Sequence, residues 1–155
     1  MDKELQTICY QTVAVALAVA MSGCASQAPA VQSNASAGDS RVILACTLAS
    51  QCVNSFDSGG LGPMRYVGTP AQARAVLQAT LAEFPEAQIV KTDGLYLEVV
   101  FTTALGFRDL VDFRIDAQAQ RIDFRSRSSI GLFDFGKNRS RMSAFSARFE
   151  QNTRR

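Results

Sequence analysis

Between Arg125 and Arg141 the chain gathers Arg125, Arg127, Lys137, Arg139 and Arg141, with Gly131, Asp134 and Gly136 among them. Guanidinium groups are planar forks of donors that suit phosphate or carboxylate. A helix starting near Asn138 would add free N–H groups and a positive dipole end. Gly131 and Gly136 would let a ligand approach the backbone closely. The chemistry this pattern offers is anion recognition, by Arg127, Lys137, Asn138, Arg139 and Arg141, with Asp109 and Asp134 as supporting acids. Two other readings stand beside it. In one, the glycines only turn the chain and the aspartates pair with the arginines, since charge runs are usually solvated or paired faces. In the other, an enzyme uses Asp109, Asp112 or Asp134 with arginine for acid–base work, although no spacing demands it.

The chain has 155 residues and no histidine. Ser-His-Asp and Cys-His catalysis are therefore excluded, and the commonest zinc ligand is missing. No cofactor, metal or catalytic residue is implied. Net charge is only +2, but it is uneven. From Arg121 onward stand Arg121, Arg125, Arg127, Lys137, Arg139, Arg141, Arg148, Arg154 and Arg155 against Asp123, Asp134 and Glu150. Such a local surplus favours an anionic partner or surface.

The elements that must position these groups read as helix, four strands, helix. Thr69 and Pro70 supply an N-cap and a first-turn proline, and Gln72 completes a capping box. Ala73, Val76, Leu77, Ala79, Leu81 and Phe84 follow as an apolar stripe at helical spacing, and Pro85 ends it. Residues 87–92 and 95–103 flank Asp93-Gly94, a hairpin signal in which both residues take positive φ. Residues 110–116 and 121–128 form a second hairpin. Apolar residues must meet on one face, which sets Ile115 against Ile122 and Phe113 against Phe124. On the outward face the same register sets Asp116 against Arg121, Arg114 against Asp123 and Asp112 against Arg125. Each such pair adds about 0.2–1 kcal/mol, so their main use is to specify register. Met142, Phe145 and Phe149 mark the buried stripe of the last helix, with Asn138 as its N-cap. Residues 41–44 read as a short opening strand and residues 51–66 as loop. The expected fold is α+β, a four-stranded antiparallel meander with two helices packed on one face, over residues 41–152, with 153–155 as a tail.

Residues 1–40 read as an address. Val13 to Met21 is an apolar run of signal-peptide length, too short to span a bilayer. Met21-Ser22-Gly23-Cys24 resembles a bacterial lipobox, which makes residues 1–23 a lipoprotein signal peptide and Cys24 the acylated residue; an ordinary cleaved signal peptide is the alternative. Residues 24–40 then form a disordered tether with too few large apolar groups to fold. Ala25 after the cysteine resembles the outer-membrane sorting pattern. The expected location is the bacterial envelope, lipid-anchored at the outer membrane and facing the periplasm. Several acyl chains, palmitate among them, would make that anchor stable. The partners it suggests are the membrane, and an anionic lipid, glycan or envelope protein; it argues against nucleic acid. Cys9 lies in the removed segment. Cys46 and Cys52 remain, and in an oxidising compartment a disulfide is the economical reading, with metal binding and a redox pair as alternatives.

Cys46 with Cys52-Val53-Asn54-Ser55, Gly106-Phe107-Arg108-Asp109, Asp112-Phe113, Arg125-Ser126, Ser128, Gly131, Asp134-Phe135-Gly136, Asn138-Arg139 and Arg141 together resemble an uncharacterised bacterial family, domain of unknown function 1499. The likeness covers about residues 45–149. The family tends to have Asp at Leu110, Arg at Ser129 and Glu at Ser143, so any shared polar site is thinned here. The resemblance implies a location and a small lipoprotein or membrane-associated context, with no activity attached. With Arg125 paired to Asp112, and Arg127 facing Leu110 instead of the family's Asp, the candidate site narrows to Arg127, Asp134, Lys137, Asn138, Arg139 and Arg141.

Overall fold

The computed structural model describes residues 40–56, 60–130 and 134–155. The signal peptide, Cys24, most of the tether and Gly131 lie outside the described residues. Helix α1 (Ser40–Ile43) is followed by strands β1 (Cys52–Asn54) and β2 (Met64–Arg65). Then come α2 (Pro70–Ala82), β3 (Ala87–Asp93), β4 (Tyr96–Thr102), β5 (Arg108–Asp116), β6 (Arg121–Ser128) and α3 (Lys137–Thr153). The fold is α+β, as its pattern requires.

The second hairpin takes the expected register, with Ile115 on Ile122, Phe113 on Phe124, Asp112 on Arg125 and Leu110 on Arg127. Two constraints agree there, because a one-residue slip would both expose the aromatics and set the charges against apolar groups. In the first hairpin Asp93 pairs with Tyr96, so Gly94 and Leu95 make the turn. Gly94 has φ +53° and Asp93 does not share it, which corrects the expected Asp-Gly turn. The capping box of α2 is complete: Thr69 Oγ1 accepts from Gln72 N, and Thr69 N donates to Gln72 Oε1. Its buried stripe runs through Ala73, Leu77, Thr80 and Leu81, while Ala79 is exposed. Thr80 is tolerated inside because its hydroxyl donates to Val76 O and accepts from Asn152 Nδ2.

Two expectations fail around the four-stranded meander. Residues 41–44, expected as a strand, belong to a short helical turn. Residues 51–66, expected as loop, contain β1 and β2, which both pair antiparallel with β6. The sheet is therefore six-stranded, in the order β1-β6-β5-β4-β3 with β2 also on β6. Helix α3 lies over β6, β1 and β2, and α2 over β5 and β3. Leu97, Val99, Phe101, Val111, Phe113, Ile115, Ile122 and Phe124 form the sheet's contribution to the core. Leu77, Leu81, Met142, Phe145 and Phe149 close it from the helices. Phe145 stacks at 5.2 Å on Phe113 and 5.3 Å on Phe84.

Candidate functional site

Strand alternation decides where each arginine goes. Ser126 and Ser128 point to the helix side of β6, where both meet Asn138. Arg125 and Arg127 therefore point to the other side. The cluster expected as one site is divided by the sheet.

On the helix side, Asn138 and Ser126 are fully buried and Asp109 is 5% exposed. Burying an amide is costly unless all its groups are bonded. Asn138 Nδ2 donates to Gln51 O and to Ser128 Oγ, each at 3.1 Å. Its Oδ1 accepts from Ser126 Oγ at 2.6 Å and Arg141 Nη1 at 3.0 Å. Arg141 Nη2 reaches Asp109 Oδ2 at 2.6 Å, and its guanidinium lies 5.0 Å from the centre of the Phe101 ring. This network ties α3 to β4, β5, β6 and the chain before β1. Asn138 and Asp109 are buried, and both Nη atoms of Arg141 are committed to them.

Asn138 is also not the N-cap, since it is the second residue of α3. Asp134 does that work from outside the helix: its carboxylate accepts from Gly136 N and Asn138 N, both at 2.9 Å, and its carbonyl from Lys137 N at 3.0 Å. The helix N-terminus expected to hold an external anion already holds Asp134. The chain enters through two left-handed residues, Phe135 at φ +53° and Gly136 at φ +76°. Glycine suits the second. Phe135 is an outlier for an aromatic, held 96% exposed.

Asp112 faces outward against Arg125 as its register requires, yet it is only 1% exposed. Arg125 Nε and Nη2 donate to its Oδ2 at 2.9 and 2.7 Å, and the Tyr96 hydroxyl donates to its Oδ1 at 2.5 Å. Burial, the hydrogen bond and the negative charge of Asp112 all raise the Tyr96 pKa, so the phenol stays a donor. Arg127 does have a partner: its Nε lies 3.8 Å from the same Asp112 carboxylate, within ion-pair reach but making no hydrogen bond. A strap covers this network. Arg125 Nη1 donates to Ala45 O and Asn54 Nδ2 to Leu44 O, both at 3.1 Å, and a disulfide joins Cys46 to Cys52. Ser55 accepts from Phe124 N, and its hydroxyl faces buried Asp123. Sequence reasoning missed Tyr96, Asn54 and Ser55 in these roles; only Asn54 and Ser55 carried a signal, as part of the family motif.

Lys137 and Arg139 are left. Both are exposed on the first turn of α3, and neither makes an ion pair with a described residue. Arg139 lines a groove of about 590 Å3 with Gly60, Leu61, Gly136, Ser140, Ser143 and Ala144. The serines were not singled out from sequence as ligand contacts, though Gly136, Ser140, Ser143 and Ala147 share one helical face at small-residue spacing. A second groove of about 520 Å3, between α2 and the end of α3, is lined mainly by apolar groups such as Tyr66, Val76 and Phe149.

Compared with known families, residues 20–149 match the model described as "Protein of unknown function (DUF1499)". No curated protein and no solved structure matches the chain.

Proposed function

We propose, for a chain that belongs to the DUF1499 family, that it is a lipid-anchored envelope protein whose domain recognises an anionic group at the mouth of α3. The anchor is an acylated Cys24, at the outer membrane facing the periplasm. The Cys46–Cys52 disulfide supports an oxidising compartment. The observation that carries the binding reading is the division of the arginine cluster. Arg125 and Arg141 are held by Asp112 and Asp109, whereas Lys137 and Arg139 stand exposed beside a groove that adds the Ser140 and Ser143 hydroxyls. An anion in that groove meets the Arg139 guanidinium and two hydroxyl donors, with Lys137 on the same first turn of the helix. An acid–base enzyme needs a carboxylate free to exchange a proton with substrate. Asp109, Asp112 and Asp134 each serve an arginine or a helix end, so the geometry favours binding.

The test is the pair Lys137→Ala with Arg139→Ala. Retention on anionic vesicles or on a phosphorylated glycan should drop while the thermal melt stays put; unchanged retention on both would end this reading. Separately, Cys24→Ser should release the protein from the membrane fraction, and unchanged fractionation would remove the anchor.

A further inference from the structure

Among the described residues, four large apolar side chains left in water lie at one end of this domain. The turn between β4 and β5 carries Leu105 at 80% and Phe107 at 52% exposure. Ile130, just past β6, is 71% exposed, and Phe135, just before α3, is 96% exposed. The register places all four at the same end of the sheet. Thr102 pairs with Arg108, Asp109 with Ser128, and Ser129 N donates to Arg108 O. Asp134 N reaches Ser50 O, next to Gln51, which accepts from Ser128 N. These side chains sit on two connections, β4–β5 and β6–α3, and none lines either groove. Scattered single apolar residues need no explanation, but several gathered at one tip do. Phe135 adds a second observation, because a left-handed backbone turns a bulky aromatic outward at a conformational cost.

The same end is positive. Arg108, Lys137 and Arg139 are exposed there. Of the nearby acids among the described residues, Asp109 is neutralised by Arg141 and Asp134 by the helix start, which leaves Glu86 exposed at the far edge. Protruding apolar side chains ringed by cations match a bilayer of anionic phospholipid, whose headgroups attract the cations while the apolar tips enter the interface. We infer that this tip docks directly onto an anionic phospholipid surface, with Phe107 and Phe135 inserted and Lys137 and Arg139 on the headgroups. The inference rests on the proposed membrane location and names the anion of that reading. Residues 25–39 between Cys24 and Ser40 reach at most about 50 Å at ~3.4 Å each. An anchored domain would thus stay within reach of the surface, where even weak docking is populated.

The chain contains no Trp, so a single Trp reports its own surroundings. Full-length protein carrying Phe135→Trp, Phe107→Trp, or Val67→Trp as a control at the opposite end, is mixed with vesicles of brominated phosphatidylglycerol or brominated phosphatidylcholine. Docking predicts a blue shift and quenching for Phe135→Trp and Phe107→Trp on the anionic vesicles, and neither for Val67→Trp. Adding Lys137→Ala and Arg139→Ala should weaken partitioning about fivefold per cation. If the protein floats with vesicles but both tip reporters behave like Val67→Trp, docking is wrong and the anchor stands. If the tip reporters are quenched yet Cys24→Ser changes nothing in flotation, the anchor is wrong and docking stands. Equal quenching on neutral vesicles, or of Val67→Trp, overturns the inference, as does the absence of both flotation and quenching.

Discussion

Arg139 and Arg141 stand two positions apart, and their replacement should separate binding from stability. Arg141→Ala removes the partner of Asp109 from an ion pair whose side chains are 11% and 6% exposed. Breaking a buried pair from one side leaves an uncompensated charge and costs about 3–5 kcal/mol. The same change strips Asn138 Oδ1 of a donor and removes the contact over Phe101. These losses share one side chain, so they overlap instead of adding, and about 3–5 kcal/mol remains the expected total. Against a usual stability of about 5–15 kcal/mol, that is a large fraction. The midpoint of thermal unfolding should fall by more than about 10 °C. Arg139→Ala touches an exposed cation that makes no ion pair among the described residues and should stay within about 0.5 kcal/mol of the parent. Urea melts followed by circular dichroism decide it, read at the midpoint with the slope checked for constancy. Adding Asp109→Ala to Arg141→Ala should recover part of the loss, because it removes the stranded charge. Coinciding melts for Arg139→Ala and Arg141→Ala would refute the reasoning.

Two further outcomes follow from the outer face. The Tyr96 phenol, raised above its ordinary value of 10, keeps its proton longer in the folded than in the unfolded chain. Its contribution is therefore complete below pH 10 and is lost as pH rises beyond it. Tyr96→Phe should flatten the decline of melting temperature between pH 10 and 12; an unchanged slope would show that the phenol is not linked to folding. Cys46→Ser should cost less than about 3 kcal/mol, since the loop is shorter than the 15 residues that give that value. It should also speed hydrogen exchange around Leu44 and Ala45, and unaltered exchange there would mean the strap holds without its disulfide.

Much of the fold was legible because the signals were local or doubly constrained. A capping box lies within four residues of chain, and the second hairpin carried apolar and charged alternation at once. β1 and β2 were not legible. Three and two residues are too short for a period, and their partners in β6 lie 56 to 75 positions away. The separation of Arg139 from Arg141 was partly visible. Asn138, Met142, Phe145 and Phe149 mark the buried stripe, and Arg141, three residues after Asn138, falls beside it while Arg139 does not. The cap was hidden because Asp134 acts from two residues outside the helix, across a left-handed turn.

By itself the sequence determined an α+β domain, the pairing of β5 with β6 and the run in which charge concentrates. Those follow from period, turn chemistry and the rule that one face must be apolar. Only the tertiary structure decided what the cations do. A strand sends neighbouring residues to opposite faces and a helix spreads them around an axis, so charges adjacent in sequence entered separate environments. Arg125 closed a buried network on the outer face and Arg127 lay at its margin. Arg141 locked the core side, and Lys137 and Arg139 were left facing outward.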